Sequence, residues 1–134
     1  MATISAVRDG LKATIEAAVS GLHVYDTIPD SVSTPAAIVI PISGAPRTLG
    51  AVKDTQQYVL RLLVSRTAER AAQDALDGYL SYSGSSSIAA ALKATSGLGV
   101  SGVRAFMTGW ENYGEVAWND VAYYGADVLI TVEN

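Results

Sequence analysis

The chain is expected to be an α+β domain: a mixed, mainly antiparallel sheet with two or three helices packed on one side. Three observations predict this. The opening stretch repeats apolar residues at helical spacing, two later stretches are apolar runs of strand length, and the last third sets two alternating stretches around a segment crowded with Gly and aromatic residues. At 134 residues the chain falls in the range of one domain, spanning 1–134, that buries roughly two-thirds of the surface its unfolded form exposes. The order these signals give is α-β-β-β-α-α-β-β.

Each element has a local cause. Ile4, Val7, Leu11, Ile15, Ala18, Val19 and Leu22 recur in steps of three and four, with Arg8, Asp9, Lys12 and Glu16 on the other side. Thr3 can cap that helix and Gly21 can end it, while Gly10 in its middle costs about 1 kcal/mol against Ala. A short extended piece at 23–26 precedes TIPDSVSTP, whose prolines and small polar residues read as loop. The run AAIVIPI at 36–42 predicts a strand buried on both faces, with Pro41 placing that end at an edge or bulge. Residues 43–54 are Gly-rich and without period, and are expected to form a long mobile loop.

The second strand is 56–66, with Tyr58, Leu60, Leu62 and Val64 on one face and Val59, Arg61 and Leu63 on the other. Thr67 can cap the next helix, whose apolar stripe is Ala68, Ala71, Ala72, Ala75, Leu76, Tyr79 and Leu80, opposite Glu69, Arg70, Gln73, Asp74 and Asp77. Residues 83–87 break it, and 88–95 give one short further helix. A C-terminal β-hairpin over 102–133 then pairs 102–110 with a strand whose Ala126, Val128, Ile130 and Val132 share one face, leaving a small excursion at 111–120.

Composition narrows function. Hydrophobic residues make up 49% and charged residues 16%, an apolar balance that points to surface buried between subunits. A formal charge of -4 argues against stable DNA binding, which needs a basic face. Without cysteine there is neither a disulfide nor a thiolate metal site, and a reducing cytosol is compatible. Charges at Arg8, Asp9, Lys12 and Glu16 interrupt any leader-like apolar run, and no stretch reaches the roughly 18 apolar residues of a spanning helix, so a soluble protein is expected, with no membrane contact.

Nothing in the pattern assembles a catalytic constellation. His23 is the single histidine; set after the first helix in an apolar context, it reads as structural, and it cannot by itself make a His metal cluster. Asp74 and Asp77 stand three apart, but on the polar stripe of a helix, where a solvated face accounts for them. GLGVSG at 97–102 has the spacing of a dinucleotide fingerprint, yet a helix precedes it and a strand follows, the reverse of what a pyrophosphate site requires. No enzyme, metal or cofactor is expected.

Contact features are plainer. Six of the ten aromatic residues, Phe106, Trp110, Tyr113, Trp118, Tyr123 and Tyr124, lie in residues 102–134, with five acids and Arg104 as the single base there. The segment 47–70 holds five bases (Arg47, Lys53, Arg61, Arg66, Arg70) against Asp54 and Glu69. Complementary patches of this kind can orient head-to-tail subunits, although ordinary solvated surface also accounts for them. The expected interface residues are Arg47, Lys53 and Asp54 from the 43–54 loop and Trp110, Tyr113, Trp118, Tyr123 and Tyr124 from the hairpin.

As a whole, the opening amphipathic helix, the segments DTIPDSVSTPAAIVIP and ALDGYLSYSGSSSIAAALKA, and the ending NYGEVAWNDVAYYGADVLITVEN resemble the tail terminator (tail completion) proteins of long-tailed bacteriophages. The resemblance implies a small α/β protein of the virion, made in the host cytoplasm. It assembles with itself into a ring, usually a hexamer, on the end of the tail tube protein, stops tube growth, and offers a surface to the head-tail connector protein. DNA would pass through such a ring without stable binding, since acidic walls repel phosphates. Another neck component, a head-closure or head-tail joining protein, is the alternative within the class, and a small-molecule-binding or hydrolytic domain is the alternative outside it.

Overall fold

The structure, a computed structural model, describes residues 3–45, 54–66 and 69–133. In chain order the elements are α1 (Ile4–Ala18), β1 (His23–Tyr25), β2 (Ala36–Ala45), β3 (Thr55–Val64), α2 (Glu69–Leu80), α3 (Ile88–Ala94), β4 (Arg104–Trp118) and β5 (Val121–Glu133). The five strands make one sheet in the order β1-β2-β3-β5-β4. Only β1 and β2 run parallel; the other neighbours are antiparallel. This is the α+β arrangement that the sequence predicts, with a mixed sheet and helices packed on it.

The main core lies between the helices and one sheet face. Val7, Leu11 and Ile15 of α1, Leu76, Tyr79 and Leu80 of α2, and Ile88 and Leu92 of α3 meet Ala37, Val39, Leu60, Leu62, Val128 and Ile130 from the strands. Thr3 caps α1 as expected, its hydroxyl accepting from Ala6 N–H at 3.1 Å. The helix ends at Ala18, earlier than Gly21, because the backbone already leaves helical geometry at Val19. Two of the expected apolar-face residues of α1 are exposed: Ala18 and, at the N-terminal end, Ile4, 50% accessible. The buried stripe of α2 is likewise narrower than expected, since Ala71 and Ala75 are exposed.

Gly10 has a reason that helix propensity does not reveal. A Cβ there would stand 2.7 Å from the Leu98 carbonyl oxygen, so α1 approaches the loop before β4 more closely than any side chain permits. That loop joins α3 to β4 and turns through positive φ at Leu98, Gly99 and Gly102, the helix-to-strand setting predicted for its glycines.

Pro41 lies where its missing N–H is tolerated. β1 covers β2 only from Ala36 to Ile38, and the ladder between β2 and β3 shifts register between Pro41 and Ser43. The strand then continues, which corrects the expected loop: Ser43, Gly44 and Ala45 pair with Gln57, Gln56 and Thr55. The rest of that loop, 46–53, lies outside the described residues. His23, expected in an apolar setting, is exposed on the edge strand β1.

The hairpin also differs from expectation. Residues 111–118 do not leave the sheet; β4 runs on to Trp118 and reverses through Asn119 and Asp120, whose φ values of 48° and 65° make the two-residue turn that suits strand twist. The irregularity expected as an excursion is instead a register shift between Glu111 and Gly114. Beyond it Gly114 faces Gly125, and a Cβ at Gly125 would lie 2.1 Å from the Leu62 carbonyl oxygen. The hairpin end then serves the second sheet face, where Val116, Trp118 and Tyr123 pack with Tyr25, Val32 and Ile40 against buried Ala36, Ile38 and Leu63. Trp118 fastens it there, its indole N–H donating to the Pro29 carbonyl at 3.2 Å.

These two close approaches set a test by urea unfolding. Gly125→Ala should lose on the order of 3 kcal/mol, because buried backbone has to move. Gly10→Ala should also destabilise, by roughly 1–3 kcal/mol, although the same change in a free helix stabilises. A raised midpoint for Gly10→Ala would show that propensity outweighs the contact with Leu98.

Candidate functional site

Two exposed apolar patches and one polar node stand out on the described surface. The first patch is a concavity of about 330 Å³ at the end of the β2–β3 pair, lined by Ile4, Pro41, Ile42, Ala45, Asp54 and Tyr58 among others. Its apolar character comes from two isoleucines that the fold leaves out: Ile4 at 50% exposure and Ile42 at 57%. Ile42 is turned out by the register shift beside Pro41, since a bulged residue has no partner in the ladder. Tyr58 forms the floor, buried, with its hydroxyl donating to the Gln56 side chain. Burial pushes that phenol above its ordinary value, and Arg8 nearby draws it partly back.

The second patch is on β4, at the far side of the sheet. Trp110 and Tyr113 stand with ring centroids 5.9 Å apart, 45% and 39% exposed. Trp110 is paired with Val128, so it lies on the helix-bearing face, and the Tyr113 hydroxyl donates to Asp77 of α2 at 2.7 Å. Loss of water around the phenol, then the hydrogen bond and charge of Asp77 and the charge of Asp74, push Tyr113 up to about 12. Acids thus border this aromatic pair.

The node is on the second face. Arg61 and Asp127 are direct partners across β3 and β5; the guanidinium Nε donates to Asp127 Oδ1 at 3.0 Å, and Asn112 donates to Oδ2 at 3.0 Å. Asp127 is 5% exposed, so this carboxylate is buried with charge and hydrogen bonds compensated. Arg66 reaches Glu115 at 3.6 Å and covers the Tyr124 ring at 5.4 Å. Two bases of the basic stretch therefore meet acids of the acidic third within one chain.

The eight residues expected at an interface separate accordingly. Arg47 and Lys53 lie outside the described residues. Asp54 lines the concavity, and Trp110 and Tyr113 form the exposed pair. Tyr124, on the same face as that pair, packs against the main core beneath Arg66. Trp118 and Tyr123 face the other way and are half-buried within the fold. Ile4 and Ile42 were missed by sequence reasoning, because their positions suit a helix stripe and a strand; the one available signal was Pro41, whose bulge re-aims its neighbour.

Among the described residues, no group of three or more His, Cys, Asp or Glu is arranged to hold a metal ion, and no buried side-chain polar atom lacks a partner. No described helix is long and apolar enough to cross a membrane. Comparison with protein-family models gave no match, and comparison with curated proteins gave none.

The Tyr113–Asp77 bond makes a pH prediction. The raised value means that the contribution of the neutral phenol is fully present below the ordinary tyrosine value, about 10, and is lost as pH rises through about 12. In the ultraviolet difference titration between the wild type and Tyr113→Phe, one phenol should ionise near 12, and Asp77→Asn should move it toward the ordinary value. An unmoved titration in Asp77→Asn would remove Asp77 as a cause.

Proposed function

We propose that this protein is a structural component of a phage virion: a tail terminator that forms a ring on the head-proximal end of the tail tube, ends tube growth and offers a docking surface to the head connector. It acts by assembly and not by catalysis. The proposal starts from the resemblance of the chain's segments to that family. The observation that supports it most is the pair of unlike apolar patches set apart across one sheet, on β2 and on β4: the concavity at Ile4 and Ile42, and the aromatic pair Trp110 and Tyr113.

Unlike patches matter because of symmetry. A patch that pairs with itself gives a two-fold dimer, whereas two different patches that fit each other give a head-to-tail contact, which closes into a ring when the rotation between subunits allows. Patches that stay exposed in a small, apolar chain favour such a contact. The net charge of -4 agrees with a ring through which DNA passes without sticking.

Light scattering behind a sizing column over a concentration series, with negative-stain imaging, should show a closed ring of several copies, alone or on addition of purified tail tubes, whose growth it should arrest. A protein that stays monomeric in both conditions and leaves tube growth unchanged would overturn the proposal. Binding to DNA-filled heads without binding to tubes would move it to the head-closure side of the neck.

A further inference from the structure

Resting on the ring reading, we infer that the subunit contact is made by the Trp110–Tyr113 pair of one copy seated in the concavity beside Ile4 and Ile42 of the next. The partner at both patches is thus a second copy of this chain.

The two patches cannot satisfy each other within one molecule. The concavity is on β2 and the aromatic pair on β4, and β3 and β5 stand between them, a lateral separation of roughly 14 Å at ordinary strand spacing. Both open on the helix-bearing face: Pro41 is paired with core-facing Tyr58, and Trp110 with core-facing Val128. A neighbour displaced sideways along the sheet therefore brings one patch to the other.

Size and chemistry match. A concavity of about 330 Å³ is at the lower end of the range for concave binding sites, about 300–1,000 Å³, and suits one or two side chains. Its isoleucines and Pro41 offer an apolar wall, while Asp54 and Gln56 bring acceptors to its lining. Tryptophan needs that combination, an apolar bed for the ring and an acceptor for the indole N–H. Among the described residues no hydrogen bond engages the Trp110 indole. Charge is complementary in part: Asp77 holds the Tyr113 hydroxyl, and Arg8, close enough to Tyr58 at the concavity floor to act on its phenol, is a base for it to meet, with Asp54 the one acid on the described lining. Aromatic anchors entering an apolar recess are what dominates the energy of an interface.

The absence of native cysteine permits a clean cross-linking test. Gly44 borders the concavity, is paired with Gln56 on the same face as Tyr58 and has room for a side chain, and Asp74 neighbours Tyr113; both are exposed, so Gly44→Cys and Asp74→Cys keep the aromatic pair and both isoleucines in place. With a short thiol-bridging reagent, the double variant should give a ladder of covalent oligomers. Either single variant alone should stay uncrosslinked, and their mixture should stop at a covalent dimer. Adding Trp110→Ala or Ile42→Ser to the double variant should abolish the ladder, with circular dichroism unchanged.

A wild type that associates by light scattering while the double variant gives no ladder would overturn this contact and leave the ring reading standing. Cross-linking of either single variant with itself would also overturn it, since that requires a symmetric contact, as would a ladder that survives Trp110→Ala. A wild type that stays monomeric, with no ladder, would count against both readings.

Discussion

The carbonyl oxygen of Leu62 occupies the space where a side chain at position 125 would begin, 2.1 Å from an ideal Cβ, and much of the architecture follows from that contact. It lies where β5 leaves its alignment with β3 and enters the hairpin end. Gly125 lets the two backbones touch there, and Gly114 opposite it, next to a bulge, lets β4 follow. With a side chain at 125 the hairpin could not lie as it does against β3. The residues that depend on its placement are Val116, Trp118 and Tyr123.

Those residues decide how the second sheet face is closed. The helices cover the other face, and the described residues hold no further helix for this one. The hairpin end and the 26–35 connection cover Ala36, Ile38 and Leu63 instead, joined by the Trp118 indole to the Pro29 carbonyl. Next to this small core the sheet buries a carboxylate, Asp127, and compensates it with Arg61 on the adjacent strand and Asn112 from the bulge. A lone buried carboxylate would be costly, and one with a guanidinium and an amide in register fixes the strands against slippage. The bulge thus supplies Asn112 to the node as well as a bend to the strand.

The same departures from ideal strand geometry shape the surface. At Pro41 the bulge turns Ile42 outward beside Ile4, and at 111–114 the bulge sets Tyr113 against Asp77 with Trp110 at its side. Each patch is held by a rigid element, α1 and β2 for one, β4 and α2 for the other. Rigid, pre-placed apolar groups lose little entropy on contact, which is what an assembly surface needs.

The sequence by itself determined the α+β class, the order of all eight elements, the cap at Thr3 and the two faces of β3, because periodicity and capping are local and the core selects one face of each element. It also showed that Pro41 had to stand at an edge or bulge. Strand order, the parallel β1–β2 pair and the insertion of β5 between β3 and β4 were decided only by the tertiary structure, since pairing partners are distant in sequence. The sorting of the aromatics was decided there too. Trp110 and Trp118 look alike in the chain, but the register shift between Glu111 and Gly114 and the bend after it set one on the exposed helix-bearing face and turn the other into the fold. Gly10 and Gly125 were opaque for the same reason: what forbids a side chain at each is a carbonyl from a segment that only folding brings near.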